Sequence, residues 1–228
     1  MTIRGVIFDL DGTLLDSLGD IGGAMNDALL ARGWPVHPLS AYLRFVGEGV
    51  EQLARKAAPA GEDVATLVDQ YRARYAQRME QETKPYAGIA QLLDGLHGRG
   101  VAMAVLSNKR DDFTVELVKR QLAKWPFVAV RGERHGVPRK PDPVAALELA
   151  AELKLKPAEI AFVGDTPIDV KTAIAAGMLP VAVEWGFRTR AELTAAGARH
   201  VVSRPDELLS LLLDDAAAAD GQTAKVSP

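Results

Sequence analysis

The sequence predicts an α/β protein in which a doubly wound parallel sheet carries an inserted, all-helical cap. From Val101 onward, short and continuously apolar segments alternate with helical patterns, which is typical of parallel strands covered by helices on both faces. A similar apolar run, Val6–Phe8, stands near the N-terminus. It is separated from the later strands by a long stretch that has helical patterns and no convincing strand.

The strands of the predicted core share short length and apolar composition, which suits segments buried on both faces of a sheet. Ligands in such folds bind beyond the carboxyl ends of the strands, so the residues that follow each strand are the first candidates for function. The expected strands are Val6–Phe8, Val101–Leu106, Phe127–Val130, Ile160–Val163, Leu179–Val183 and His200–Val202.

Helices are expected between these strands because their segments show helical periodicity and begin with Asp, Pro or Thr, residues that favour helix starts. The core helices are predicted at Asp111–Gln121, Pro143–Leu153, Pro167–Ala176 and Thr189–Ala196.

A helical cap is expected over residues 16–84, closed by the turn Lys84-Pro85-Tyr86. The core then comprises residues 1–15 and 85–213, and the alanine-rich, polar tail 214–228 is expected to be disordered. Gly22-Gly23 weakens the first cap helix by about 1 kcal/mol per glycine, so its boundary is left open. The cap helices are predicted at Leu18–Arg32, Leu39–Phe45, Val50–Ala58 and Asp63–Glu82.

Composition excludes several classes of function. The chain has 228 residues, mixed charges with a net charge of −3, and no basic stripe suited to nucleic acid. No apolar run approaches the roughly 20 residues that span a bilayer, and no signal peptide pattern is present. Without cysteine there is neither a disulfide framework nor a thiolate metal site. We therefore expect a cytoplasmic protein without nucleic-acid or membrane partners, either a monomer or a homodimer.

Two carboxylates, Asp9 and Asp11, follow the first strand directly. Residues two apart in an extended chain point to the same side. A buried carboxylate is costly without a partner, and Mg²⁺ would compensate both. Alternatively, one carboxylate attacks phosphorus while the other exchanges a proton with the leaving oxygen. Gly12 permits a tight turn beside a ligand, although an Asx-type turn also explains Asp followed by Gly.

Three further polar clusters lie after other predicted strands. Ser107-Asn108 can donate hydrogen bonds to phosphate or cap a helix. Lys140 precedes Pro141 and Pro143, which stiffen its loop, and it can balance negative charge or lie on the surface. Gly164-Asp165 ends a strand, and Asp169 lies in the first turn of the next helix, where a carboxylate suits the helix dipole. Each cluster taken alone can be explained by local structure, such as a helix cap or a surface charge. Their joint occurrence at successive strand ends predicts one shared site.

In this order the four clusters resemble the four motifs of the haloacid dehalogenase superfamily of phosphohydrolases, over roughly residues 3–213. The resemblance implies that Asp9 is the nucleophile that forms an aspartyl-phosphate, and that Asp11 is the general acid/base. It also implies an Mg²⁺ cofactor. The implied metal ligands are Asp9, Asp165 and the Asp11 carbonyl, the implied phosphate and charge contacts are Thr13, Ser107, Asn108 and Lys140, and the implied supporting residues are Gly12, Gly164 and Asp169.

Within the superfamily the chain is similar to the phosphoglycolate phosphatase branch, through the stretches that begin at Asp11, Phe45 and Val183. The resemblance implies a phosphatase acting on a small phosphorylated metabolite. Pyrophosphate, nucleotide and sugar phosphates remain alternative substrates. A phosphoaspartate switch that retains the phosphoryl group is an alternative from another class, against which the acid at Asp11 argues.

Overall fold

The computed structural model describes the backbone of residues 2–220 and the side chains of residues 2–213. Within these residues a parallel sheet of six strands and a short antiparallel ribbon of two strands are present. The strands are β1 (Gly5–Phe8), β2 (Leu15–Asp16), β3 (Lys84–Pro85), β4 (Ala102–Arg110), β5 (Phe127–Glu133), β6 (Ile160–Gly164), β7 (Leu179–Val183) and β8 (His200–Val202).

Helices cover the sheet and fill the segment between β2 and β3. They are α1 (Leu18–Leu30), α2 (Leu39–Phe45), α3 (Val50–Ala57), α4 (Ala65–Arg78), α5 (Ile89–Gly98), α6 (Asp111–Gln121), α7 (Val144–Leu153), α8 (Pro167–Ala175), α9 (Arg190–Ala195) and α10 (Pro205–Asp220).

The sheet has the strand order β5-β4-β1-β6-β7-β8, and all neighbouring strands run parallel. Strand β1 lies near the centre, paired with β4 on one side and β6 on the other. The carboxyl end of β1 is therefore flanked by the ends of β4 and β6. The predicted α/β fold with an inserted helical cap is confirmed.

The central strands β1 and β6 are buried on both faces, as their continuous apolar runs predicted, while the edge strands β5 and β8 are partly exposed. Along β1, Val6 and Phe8 belong to one apolar cluster, and Ile7 belongs to another. This division follows from the alternation of side chains along a strand. A strand covered on both faces leaves only its end available for polar chemistry, and Asp9 stands at that end.

The glycine pair Gly22-Gly23 does not interrupt α1. A Cβ at Gly22 would lie 2.7 Å from Cδ2 of Leu39 and 2.9 Å from Cδ2 of Tyr42. Helix α2 can therefore pack directly against the backbone of α1. The packing offsets the low intrinsic helix propensity of glycine at this position.

The helical segment α1–α4 begins and ends at the ribbon of β2 and β3. Leu15 pairs with Pro85, and Asp16 pairs with Lys84, in antiparallel register. The sequence predicted only a turn at Lys84-Pro85-Tyr86. We propose this ribbon as the boundary between core and cap, which matches the expected division at residues 15/16 and 84/85.

Two helices, α5 and α10, were not predicted. A Cβ at Gly95 would lie 2.7 Å from Cδ2 of Leu209, so the glycine permits close packing of α10 on α5. Helix α10 continues to Asp220 and thus enters the stretch 214–228 that was expected to be disordered. Residues 221–228 of that stretch lie outside the described residues. None of the described helices combines the length and apolar character that crossing a bilayer requires.

Candidate active site

The four predicted clusters converge at the carboxyl edge of the sheet, beside a cavity between the sheet and the helical segment. The core contributes Asp9 and Asp11 after β1, and Ser107, Asn108 and Lys109 from the end of β4. The cavity wall formed by residues 16–84 is lined by Ile21, Val46, Gly47, Gly49, Val50, Leu53, Tyr71, Arg72 and Tyr75.

Lys140 connects two of the clusters. Its Nζ donates to Oδ1 of Asp9 at 2.8 Å and to Oδ1 of Asp169 at 2.7 Å. Burial would lower the pKa of Lys140, but the Asp169 and Asp9 carboxylates outweigh burial and hold this pKa above its usual value. The lysine is therefore a fixed positive charge beside Asp9.

The carboxylates of Asp9, Asp165 and Asp169 form a compact, buried group, with one oxygen of each within 4.8 Å of the others. Burial raises the pKa of Asp9 to about 7, although Lys140 opposes the rise, and burial also raises the pKa of Asp165. One ammonium beside three carboxylates leaves two negative charges, which a divalent cation would balance. Oxygen ligands suit Mg²⁺, so the residues fit the predicted cofactor.

The three members of this group differ in how their oxygens are used. Oδ2 of Asp169 accepts from the amide and the hydroxyl of Thr166, at 3.0 and 2.7 Å, while Oδ1 accepts from Lys140. The carboxylate of Asp169 is thus held in place by the protein, as expected for a residue that orients Lys140. Asp9 receives a side-chain hydrogen bond at Oδ1 from Lys140, and no described residue donates to its Oδ2. That oxygen is the one left for chemistry.

Asp165 is fixed by two donors. The hydroxyl of Thr13 donates to its Oδ1 at 3.2 Å, and the amide of Phe187 donates to its Oδ2 at 2.7 Å. Thr13 was expected to contact the substrate, whereas its hydroxyl donates to a member of the carboxylate group. The Phe187 contact was not predicted, because a backbone donor from a distant loop leaves no pattern in the sequence.

Glycine at positions 12 and 164 allows the loops to approach each other closely. A Cβ on Gly12 would lie 2.3 Å from Oδ2 of Asp165, and one on Gly164 would lie 2.3 Å from Cβ of Asp169. Gly12 also has a φ of 88°, which other residues rarely adopt. Both glycines therefore leave room for the carboxylate group.

The Asp11 side chain is directed toward different partners from those of Asp9. Ser17 donates to its Oδ1 at 2.6 Å, and Nζ of Lys109 lies 2.9 Å from Oδ1 and 2.8 Å from Oδ2. Lys109 also donates to the hydroxyl of Tyr75 on α4 at 2.8 Å. Lys109 stands directly after Ser107-Asn108 but had been given no role. The carboxylate of Asp11 is absent from the compact group, consistent with the expectation that only its backbone carbonyl would bind metal.

Ser107 and Asn108, the expected phosphate contacts, line the cavity, but the Asn108 side chain is already engaged. Its Nδ2 donates to the carbonyls of Gly47 and Lys140, at 3.1 and 3.0 Å, and its Oδ1 accepts from the Lys140 amide at 3.0 Å. The Ser107 hydroxyl accepts from the Lys109 amide at 3.2 Å. The Asn108 side chain therefore holds the Lys140 backbone and contacts the helical segment.

Comparison with known proteins identifies the class. Residues 6–183 match the family model described as haloacid dehalogenase-like hydrolase, and the chain belongs to this family. The predicted superfamily and enzyme class are confirmed.

More particularly, the chain is similar to phosphoglycolate phosphatases. It is 33% identical to that of Pseudomonas putida, over 96% of this chain and 82% of the relative. It is 31% identical to that of Pseudomonas fluorescens, over 99% and 85% respectively. A predicted phosphatase from Clostridium acetobutylicum superposes with a TM-score of 0.84 at 28% identity, covering 94% of this chain and 100% of that one.

Proposed function

We propose that this chain is an Mg²⁺-dependent phosphomonoesterase that transfers the phosphoryl group of a small metabolite to Asp9 and then to water. The observation that carries the proposal is the convergence of four strand-end clusters. Asp9, Asp165 and Asp169 lie within one compact group, and Lys140 bridges Asp9 and Asp169. Phosphoryl transfer requires mainly positioning and neutralisation of charge, and this arrangement supplies both.

Asp9, Asp165 and the main-chain carbonyl of Asp11 would hold the ion. When bound, Mg²⁺ would offset the charge of the carboxylates and of the transferring phosphoryl group. Lys140 would add a further positive charge beside Asp9. Asp169 would keep Lys140 oriented, since it accepts from Nζ at 2.7 Å.

Asp9 would act as the nucleophile through its Oδ2, which receives no hydrogen bond from the described residues. A bond would form between this oxygen and phosphorus as the ester P–O bond breaks, and the leaving oxygen would take a proton from Asp11. Asp11, now ionised, would accept a proton from water as the water oxygen attacks the phosphorus of the aspartyl-phosphate. Inorganic phosphate would leave, and the Asp9 carboxylate would be restored.

Asp11 also favours this reaction over a switch that retains the phosphoryl group. Its carboxylate lines the same cavity as Asp9 and is held there by Ser17 and Lys109. A proton donor and acceptor two residues from the nucleophile is needed for turnover and would be superfluous in a module that stores phosphate.

For the substrate we propose 2-phosphoglycolate. The curated relatives named phosphoglycolate phosphatase align with nearly the whole chain, including the helical segment that forms half of the cavity. Pyrophosphate, nucleotides and sugar phosphates are the competing candidates, and they are larger or lack a terminal carboxylate.

The proposal is tested by measuring phosphate release from a panel of these compounds with and without Mg²⁺. We expect 2-phosphoglycolate to give the highest kcat/KM, and chelation of the metal to abolish turnover. Asp9→Asn should lower kcat by about 10⁴-fold or more, because the amide is a poor nucleophile. Asp16→Asn, outside the cavity, is the matched control and should retain activity. Full activity in Asp9→Asn would rule out the assigned nucleophile.

A further inference from the structure

The cavity wall formed by residues 16–84 is apolar and aromatic, apart from one side chain. Arg72, on α4, is the only charged residue among those that this segment contributes to the wall within the described residues. It lines the same cavity as Asp9 and Asp11. A single arginine in the same cavity as the proposed nucleophile is available to the part of a substrate that extends away from its phosphate.

Arg72 makes no hydrogen bond with any described residue, and its Nε is buried without a partner. Its closest carboxylate oxygens belong to Asp69, at 3.6 Å, and Glu51, at 3.8 Å, both beyond hydrogen-bond distance. The other arginines of α4 are engaged, since Arg74 donates to the Gln70 carbonyl at 3.1 Å and Arg78 donates to Asp27 at 2.9 Å. The guanidinium of Arg72 thus has N–H groups without an acceptor in the cavity wall, which indicates that their partner comes from outside the chain.

The neighbouring carboxylates do not satisfy the charge of Arg72. Glu51 forms its hydrogen-bonded ion pair with Arg139 of the core. The side chain of Asp69 is 79% exposed, so water screens its attraction. The guanidinium therefore retains most of its capacity to bind a second anion.

We propose that Arg72 binds a carboxylate at the end of the substrate opposite the phosphate, and so determines specificity for small phosphorylated acids. This inference rests on the proposed function. The guanidinium can accept a carboxylate through two parallel hydrogen bonds. Apolar neighbours such as Val50 and Leu53 reduce the competition from water. An ester without the carboxylate would leave this partly buried donor, whose side chain is 30% exposed, unpaired, which is how a polar pocket rejects analogues.

The test compares 2-phosphoglycolate with ethyl phosphate, which has a methyl group in place of the carboxylate. We expect Arg72→Gln to lower kcat/KM for 2-phosphoglycolate by about 30-fold or more, chiefly through KM, because a charged hydrogen bond is lost. Its kcat/KM for ethyl phosphate should change by no more than about 3-fold. Arg74→Gln, on the same helix but outside the cavity, should leave both values unchanged. An equal loss with both esters, or no loss with either, overturns the assignment.

Binding measurements separate this inference from the proposed function. In Asp9→Asn loaded with Mg²⁺, calorimetry should show tighter binding of 2-phosphoglycolate than of ethyl phosphate. Adding Arg72→Gln to this variant should remove that preference. Arg72→Lys in its place should retain part of the preference, because lysine keeps the charge but lacks the planar guanidinium. If the wild-type chain hydrolyses neither ester, the proposed substrate fails, while this binding comparison still decides the role of Arg72. A preference that survives Arg72→Gln refutes the inference.

Discussion

Two buried lysines each pair with one of the two carboxylates that follow β1, and their other partners lie in different parts of the molecule. Lys140, with 3% of its side chain exposed, pairs with Asp9 and Asp169, and both of these partners belong to the core. Lys109, with 8% exposed, pairs with Asp11 and with Tyr75 on α4 of the helical segment. The ion pairs of Asp9 are thus made within the core, whereas Lys109, which pairs with Asp11, has a second partner in the helical segment.

The difference separates positioning of the proposed nucleophile from positioning of the proposed acid/base. A displacement of α4 would remove one partner of Lys109 without touching Lys140. The position of the helical segment would then control proton transfer while the nucleophile stays in place. Substitutions at the two lysines should consequently have different effects on stability and on turnover.

The largest effect is expected from Lys140→Met. Without the ammonium, Asp9 and Asp169 remain as unpaired buried carboxylates, which should destabilise the fold by about 3–5 kcal/mol. Loss of the fixed charge should also lower kcat by about 10²–10³-fold. Urea denaturation and steady-state kinetics measure the two effects. Lys171→Met, at an exposed position of α8, serves as the control and should alter neither. A stable, active Lys140→Met would mean that this pair is not essential.

A smaller effect is expected from Lys109→Met, because Ser17 still donates to Asp11 and α4 remains packed. We expect kcat to fall by about 10–100-fold, as part of the contribution of acid–base catalysis is lost. A double-mutant cycle with Tyr75→Phe should give a coupling free energy of about 0.5–3 kcal/mol in stability, since the two groups share a hydrogen bond. Strict additivity in that cycle would show that the lysine does not link core and cap.

The smallest effect is expected from Glu51→Gln, which weakens the pair between α3 and Arg139. Both side chains are partly exposed, so the loss of stability should be about 1 kcal/mol or less. A second link between core and cap remains, because Arg188 donates to the carbonyl of Val46 at 2.8 Å. The small change should shrink further at high salt, which screens exposed charges. Thermal melts at two salt concentrations measure the loss of stability. A loss as large as that caused by Lys140→Met would contradict the ranking.

The core strands could be predicted from sequence because burial on both faces leaves a continuous apolar run, as at β1 and β6. The ribbon of β2 and β3 could not, since two residues per strand carry no periodicity. Helix α5 was missed as well. Its Gly95 lowers the helix propensity, and only the packing of Leu209 against it explains the residue.

Asp9, Asp11 and Asp165 were predictable as candidate site residues because they follow buried strands, where a charge calls for explanation. Lys140 was predictable because Pro141 and Pro143 stiffen its loop. Arg72 was not, because α4 also carries Arg74 and Arg78, and periodicity does not reveal which of them faces a cavity. The partners of Thr13 and Asn108 were equally hidden, since both contacts join residues that are far apart in the chain.

The ribbon of Leu15–Asp16 and Lys84–Pro85 places the beginning and the end of the helical excursion side by side. The segment between them is therefore an insertion whose two ends leave and re-enter the core at the same place. An insertion with adjacent ends can change in length without altering the strand order of the parallel sheet. A change in the length or sequence of this segment would therefore alter the cavity wall that it contributes without moving the strand ends that carry Asp9 and Asp165.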